Sequence, residues 1–347
     1  VIGVAVLGMG VIGKRVAHAV RAQPDMRLAG VVLRSPAAAA LAVPGLPVFG
    51  CDAAAALGLR RAGLSCHGEL ADALAACDVL VDCGPAGSGA TRHAGYTRAG
   101  ARVVYCGGER SRELGPLVHP RLNPLALVTG TTHRAPSCNT TAVARVLAAV
   151  GPDRVTGLEL VVLKCCTDND KANKGVTNGA RLSGRPTHHA GDLRELCPDL
   201  RVASAAATLP MICGHVIHVR LDTGGTVPAA ELAARLRGDP RIALHEEPDD
   251  LDTAALKDAL WRRPWHNRYE LVVRPLSAED GRTQELWLAL DNEAVTVPEL
   301  IDIVRCSGTG GYEPPEARTN AALGIDTARQ ADHGVTVGTR SGGGPTA

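Results

Sequence analysis

The stretch that decides the fold is "VIGVAVLGMGVIGKRVAHAVRAQPDMRLAGVVLRS", residues 1–35. Its first seven residues read as an apolar strand. "GMGVIG" follows, then "KRVAHAVRAQ" with helical spacing, and after the breaker "PDM" the run "RLAGVVL" reads as a second strand. Strand, turn, helix and strand in about 33 residues is the size of a βαβ unit. Gly8, Gly10 and Gly13 form Gly-x-Gly-x-x-Gly at its first turn. The first glycine permits the tight turn, the second lets backbone approach a pyrophosphate, and the third lets helix pack closely on strand. The helix N-terminus offers free N–H groups to the phosphates. The spacing therefore predicts a dinucleotide site.

The end of the second strand bears on which dinucleotide. A site for NAD usually places an acid there for the ribose hydroxyls. Here the residues are Arg34 and Ser35, with no acid. A guanidinium pairs well with a 2′-phosphate, so NADP is favoured, with NAD left open.

Outward from this unit the alternation continues through helix "ELADALAA", strand "DVLVDCG", helix "SGATRHAGYTRAG" and strand "ARVVYCGG", with "LALVTG" read as a further strand. Such alternation predicts an α/β fold with a Rossmann-type, doubly wound parallel sheet. After Gly151 the texture changes. "RVTGLELVVLKC", "VASAAATLP", "HVIHVRLD", "YELVVRPL" and "TQELWLALD" are longer strands, with helices near 227–237 and 250–262. This predicts an α+β catalytic domain with a mixed or antiparallel sheet covered on one face. "VPELIDIVRC" and "EARTNAALGID" close the chain as helices before a loose tail. The expected division is 1–137, 138–296, 297–327 and a flexible 328–347.

Bulk properties narrow the class. The chain has 347 residues, long enough for two cores, and 45% are apolar. One Phe, four Tyr and three Trp leave packing to Ala, Val and Leu. With 37 basic and 36 acidic residues the net charge is +1, which lacks the basic footprint of a nucleic-acid binder. No apolar run approaches the ~20 residues of a membrane span, and the apolar start is not expected to be a signal peptide. Eleven cysteines, odd in number and without Cys-x-x-Cys spacing, argue for a reducing, cytoplasmic setting and against disulfide or metal frameworks. Most, including Cys77, Cys83 and Cys106, are expected as small buried hydrophobes in strands.

Cys138 is different. It stands just before "TTAVARVLAAV", a helix without a breaker, where the dipole raises the thiolate fraction. Such a thiolate can attack an aldehyde to give a hemithioacetal. Hydride transfer to a nicotinamide then leaves a thioester for phosphate or water to cleave. A second group must take the hydroxyl proton, and histidine suits that task.

The stretches "GMGVIGKRVAHAVRAQPDMRLAGVVLRSP", "SCNTT", "PTHHAGD", "PMICGH", "TVPELIDIVR" and "TNAALGI" resemble the archaeal-type (type II) glyceraldehyde-3-phosphate dehydrogenases, in order and to about residue 325. The resemblance implies a homotetramer, a nucleotide-binding and a catalytic domain, and a last helix returning to the first domain. It implies Cys138 as nucleophile, His215 as base, and Ser137 and Asn139 flanking the substrate. His188 and His189 match a pair at the substrate pocket. Val11, Ile12 and the Gly107–Gly108 turn match cofactor contacts, and Asn292 stands where the family usually has glutamine near the nicotinamide. One departure concerns substrate. Where the family's strand after the nucleophile helix ends in two arginines, this chain reads "VVLKCCTDND", with Lys164 and Cys165 the best match. A charge-assisted hydrogen bond to phosphate contributes ~1.5–3 kcal/mol. Lys171, Lys174 and Arg181 are candidates to compensate. The implied reaction oxidises glyceraldehyde 3-phosphate with inorganic phosphate to an acyl phosphate. The alternatives are a relative that acts on another aldehyde or reduces an acyl phosphate, and a non-catalytic NADP-binding redox sensor. Aspartate-semialdehyde dehydrogenases also carry a cysteine at a domain junction, but "HHAGD" and "TNAALGI" argue against them.

Overall fold

A computed structural model describes residues 1–36, 45–106, 108–167, 179–184, 187–212, 214–247, 249–260, 267–276 and 281–325. Gly107, Lys171, Lys174 and the tail 328–347 lie outside the described residues. The first half alternates strands with helices: β1 (Ile2–Leu7), α1 (Val11–Ala22), β2 (Met26–Leu33), β3 (Val48–Gly50), α2 (Ala53–Arg61), β4 (Cys66–Glu69), α3 (Leu70–Ala75), β5 (Val79–Asp82), α4 (Ser88–Arg98), β6 (Val103–Tyr105) and β7 (Thr132–Arg134). These strands form a parallel sheet in the order β4-β3-β2-β1-β5-β6-β7. The order reverses between β1 and β5, and a doubly wound sheet binds its ligands outside the carboxyl ends of strands at such a reversal. Gly8 and Cys83, the residues just past β1 and β5, stand there.

The second half contains α5 (Cys138–Val150), β8 (Val155–Thr167), β9 (Arg181–Ser183), α6 (His188–Leu196), β10 (Arg201–Ile212), β11 (His215–Thr223), α7 (Ala229–Arg237), β12 (Ile242–Leu244), α8 (Thr253–Leu260), β13 (Leu271–Pro275), β14 (Thr283–Leu290), α9 (Val297–Thr309) and α10 (Glu316–Leu323). Its sheet runs β12-β13-β14-β11-β8-β10-β9. The β8–β10 and β12–β13 pairs are parallel and the rest antiparallel, so the sheet is mixed, as expected. Leu158, Leu160 and Val162 of β8 face a core shared with Val143, Val146 and Leu147 of α5. Leu300, Ile301, Ile303 and Val304 of α9 join Val4, Val6, Val16 and Val20 in the core of the first sheet. Among the described residues no helix is long and apolar enough to cross a membrane.

Three expectations need correction. "LALVTG" is not a strand: Pro124–Leu127 is a 3₁₀ turn, and the seventh strand is Thr132–Arg134. Pro124 presets the turn, and Leu127 enters the core while Leu125 is 76% exposed, so the apolar run has no sheet to face. The helix after Cys138 starts at Cys138 itself, because Ser137 caps it. Most cysteines are not buried in strands. Cys77, Cys83 and Cys106 are half-buried just outside strand ends, and among the described cysteines only Cys165, Cys166 and Cys306 are buried.

One ion pair joins the two cores. Arg145, the single charge in an otherwise apolar helix α5, is fully buried. Its Nε and Nη2 donate to Glu299 Oε1 and Oε2 of α9 at 2.6 and 2.7 Å. Nη1 donates to the carbonyls of Tyr269 at 2.6 Å and Arg241 at 3.1 Å, and Nη2 also reaches that of Val295. Burial opposes charge on Glu299, but Arg145 and Arg241 more than offset it and hold this carboxyl below the usual range. Removing one partner of such a pair leaves a buried charge uncompensated. Arg145→Met is expected to lower the free energy of unfolding by ~3–5 kcal/mol, read as a shift of the urea midpoint; a loss below ~1 kcal/mol would show that Glu299 does not depend on it.

Candidate active site

The glycine loop at the end of β1 is shaped by contacts that only glycine allows. Gly8 has φ of +86°, a region costly for other residues. A Cβ on Gly13 would stand 1.8 Å from the Gly8 carbonyl oxygen, so the helix rests directly on the turn. A Cβ on Gly10 would meet nothing within 4 Å. Gly10 therefore keeps space open beside the chain, as a cradle for a bound group does. No side chain caps α1 at Gly10, which leaves its first-turn N–H groups for a ligand. These features fit a dinucleotide pyrophosphate. Val11 is buried and Ile12 half-buried, so their side chains serve the core and only their backbone faces the cradle. Arg34 is exposed at the end of β2, with Ser35 half-buried beside it. Gly108, exposed, has φ of +79°.

The candidate nucleophile lies at the start of α5. Ser137, the N-cap, accepts a hydrogen bond from Thr140 N at 3.4 Å, which brings Cys138 into the first turn. Cys138 Sγ lies 3.6 Å from His215 Nδ1, although 77 residues separate them. The same nitrogen lies 2.9 Å from Asn139 Oδ1. Asn139 is buried, with its amide oxygen turned to His215. Cysteine, histidine and amide thus have the arrangement that a nucleophile, a base and a group orienting the base require. The turn before His215 is held too. Gly214, at φ of +83°, donates its N–H to Asn292 Oδ1 at 2.7 Å. Through this oxygen Asn292 holds the turn that leads into His215.

His188 and His189 begin α6, with ring centroids 3.8 Å apart. Burial, with the charges of Arg110 and Lys164 added, pushes His188 down to about 4. Burial pushes His189 down to about 3, with His188, Lys164, His215 and Arg110 adding to the effect. Both rings are neutral at pH 7. Lys164, half-buried on β8, is thus close to the histidine pair, whereas Cys165 is fully buried and cannot stand in for an arginine. Arg181 shares a row with Lys164, both in register with Thr208 of the strand between them.

Several residues of the site escaped sequence reading. Arg110 faces the histidine pair, and its place two residues after Gly108 was the available signal. Asp192 accepts a hydrogen bond from Thr140 Oγ1 at 3.0 Å, which docks α6 on the nucleophile helix. Its i+4 spacing from His188 was the sign. His188, His189 and Asp192 bring three metal-ligand-type atoms within 4.8 Å of one another, but the cations Lys164 and Arg110 beside them disfavour a metal ion. Arg15, buried in α1, donates to Glu293 Oε2 at 2.5 Å and to Asn267 Oδ1 at 2.8 Å. Nothing in its local sequence sets it apart.

Comparison with known proteins places this geometry. No protein-family model matches the chain. The glyceraldehyde-3-phosphate dehydrogenase of Aeropyrum pernix is 34% identical over 336 residues, covering 94% of this chain and 98% of that protein. That of Archaeoglobus fulgidus is 30% identical over 332 residues, 93% of this chain and 97% of the relative. The chain belongs to the archaeal-type glyceraldehyde-3-phosphate dehydrogenase family. As a family member it is an oxidoreductase that acts on aldehydes. Among solved structures, aspartate semialdehyde dehydrogenase II from Vibrio cholerae aligns with a TM-score of 0.64 at 13% identity, over 88% of this chain and 97% of that one. That likeness is one of fold.

The cradle makes a contrast between two glycines of this family member. Gly13→Ala is expected to cost at least ~1–3 kcal/mol of stability through the clash with Gly8. Gly10→Ala is expected to stay within ~1 kcal/mol of the parent. Thermal unfolding of the two variants checks this; equal losses would refute the open cradle.

Proposed function

We propose that the protein is a phosphorylating, NADP-preferring aldehyde dehydrogenase of the glyceraldehyde-3-phosphate type. The observation that carries this reading is the 3.6 Å approach of Cys138 Sγ to His215 Nδ1 at a helix N-terminus. A proton on Nδ1 is shared between Asn139 Oδ1, which holds the ring, and a sulfur that gains by becoming a thiolate. The Cys138 thiolate attacks the aldehyde carbon, the protonated His215 gives its proton to the alkoxide that forms, and it takes that proton back as hydride leaves. The dinucleotide rests on Gly8, Gly10, Gly13 and the backbone of Val11 and Ile12, with Gly108 at the neighbouring turn. A nicotinamide, when bound, supplies the hydride acceptor. The thioester left on Cys138 is cleaved by inorganic phosphate, which releases an acyl phosphate and restores the thiolate.

Substrate charge is met by Lys164 and Arg110, since the neutral His188 and His189 provide hydrogen bonds without charge. Ser137 borders the same space. The outer face of the second sheet leaves Val161 37% exposed, with the half-buried ring pair of His218 and Trp287 nearby. This is the face a homotetramer would cover. A second reading, another aldehyde, is favoured by the loss of a bidentate arginine at Lys164–Cys165. Rates followed at 340 nm with glyceraldehyde 3-phosphate against unphosphorylated and other phosphorylated aldehydes, with and without inorganic phosphate, decide between the two.

Cys138→Ser is expected to abolish turnover while dinucleotide binding persists, and His215→Asn to lower kcat by roughly 10²–10⁴. Appreciable turnover by the serine variant would remove Cys138 from the reaction. Arg34→Ala is expected to weaken NADP roughly tenfold or more with little change for NAD, measured by equilibrium titration. Equal losses would refute a 2′-phosphate contact.

A further inference from the structure

Two cysteines at the switch point take no part in the chemistry above. The parallel register of β5 and β6 pairs Leu80 with Val103, Val81 with Val104 and Asp82 with Tyr105. Cys83 and Cys106 are the next pair along, directly across from one another. Their sulfurs are 2.9 Å apart, about 0.9 Å longer than the ~2.05 Å of a disulfide bond. Ladder hydrogen bonds hold both backbones: Cys83 N donates to Leu7 O at 2.8 Å and Cys106 N to Asp82 O at 3.0 Å. Both residues are half-buried, open enough for a small oxidant.

The pair lies under the cradle. The Cys83 carbonyl oxygen is 3.0 Å from where a Cβ of Gly8 would stand, and Cys83 Cβ is 3.4 Å from that of Gly13. Cys106 leads into the turn at Gly108. The glycine loop of the dinucleotide cradle therefore packs on one member of this thiol pair.

We propose that Cys83 and Cys106 form an oxidative modification site, a reversible disulfide that reshapes the floor of the dinucleotide cradle and weakens binding there. The effect on binding rests on the dinucleotide reading given above; the disulfide itself does not. A low-molecular-weight disulfide is the oxidant. One cysteine thiolate attacks it, forming a mixed disulfide and releasing one small thiolate. The second cysteine then attacks the protein sulfur of that mixed disulfide and expels the other small thiolate. The two cysteine thiols lose two electrons and two protons in all, and the oxidant leaves as two thiols. The neighbouring Cys106 thiol and burial push the Cys83 thiol up, so the pair persists as thiols until oxidant is supplied. Closing the bond draws Cys83 sideways. The Cys83 backbone would crowd even a Cβ on Gly8, so the loop packed on it and its phosphate-facing N–H groups follow.

The test uses the full chain carrying Cys138→Ser, which removes the candidate nucleophile. It is treated with oxidised glutathione, mapped by mass spectrometry without reduction, and titrated with NADP and NAD before oxidation, after it, and after dithiothreitol. The expected result is a cross-linked peptide joining Cys83 to Cys106. Dinucleotide binding should weaken roughly tenfold to a hundredfold, the worth of one charge-assisted hydrogen bond. Dithiothreitol should restore it, and neither effect should occur with Cys83→Ser or Cys106→Ser added. Absence of the cross-link, an unresolved mixed disulfide with glutathione, or a cross-link that leaves binding unchanged would each overturn the proposal. If the reduced protein binds neither dinucleotide, the dinucleotide reading fails and takes the binding effect with it, while the cross-link is still scored by mass.

Discussion

The guanidinium of Arg145 is withdrawn from water altogether, and the positions of the reacting groups depend on how that burial is satisfied. A buried charge is tolerated only when it is paired and its remaining donors are used. Arg145 meets both conditions through Glu299 and the carbonyls of Arg241, Tyr269 and Val295. Its helix begins at Cys138, seven residues or about two turns earlier. Its partner helix α9 packs in the same core as α1, the helix that follows the glycine loop. The nucleophile and the cradle are therefore indexed to each other through an ion pair that belongs to neither.

A second chain of contacts carries the same registration to the base. Arg15 of α1 pairs with Glu293, whose neighbour Asn292 holds the Gly214 turn, and His215 follows that turn. His215 in turn meets Cys138 and Asn139. Reactions of this kind gain most of their rate from reacting atoms held in line, and displacements near 1 Å cost heavily. The segment 291–299 therefore serves positioning more than packing. Asp302, further along α9, extends the network: burial pushes its carboxyl up to about 6 despite Arg241 at 2.7 Å.

The charge pattern around Cys138 is equally constrained. His188 and His189 lose their charge through burial beside the cations Arg110 and Lys164. A phosphorylated aldehyde would then be recognised by two point-like or single-sided cations and two neutral rings.

Much of this protein was legible without coordinates. Glycine spacing and strand–helix alternation define a parallel, doubly wound half, because both are local consequences of backbone geometry. Position before a helix points to Cys138, and the family resemblance carried by "SCNTT", "HHAGD" and "PMICGH" points to the histidine pair and His215. What local pattern could not supply were properties set by distant partners. "LALVTG" has a strand's composition but no sheet edge to join, whereas "THR" completes the sheet because Tyr105 and its neighbours await it. Asn139 and Asn292 gain their partners only when His215 and Gly214 are brought to them. Arg145 reads as one stray charge in an apolar helix until Glu299, 154 residues away, arrives. Cys83 and Cys106 become a pair only through the register of β5 on β6. Residue type and short-range spacing by themselves determined most of the elements and singled out the candidate chemical groups, since both are local properties. Only the tertiary structure decided which polar groups meet, because a side chain's partner is chosen by long-range packing that no single segment encodes.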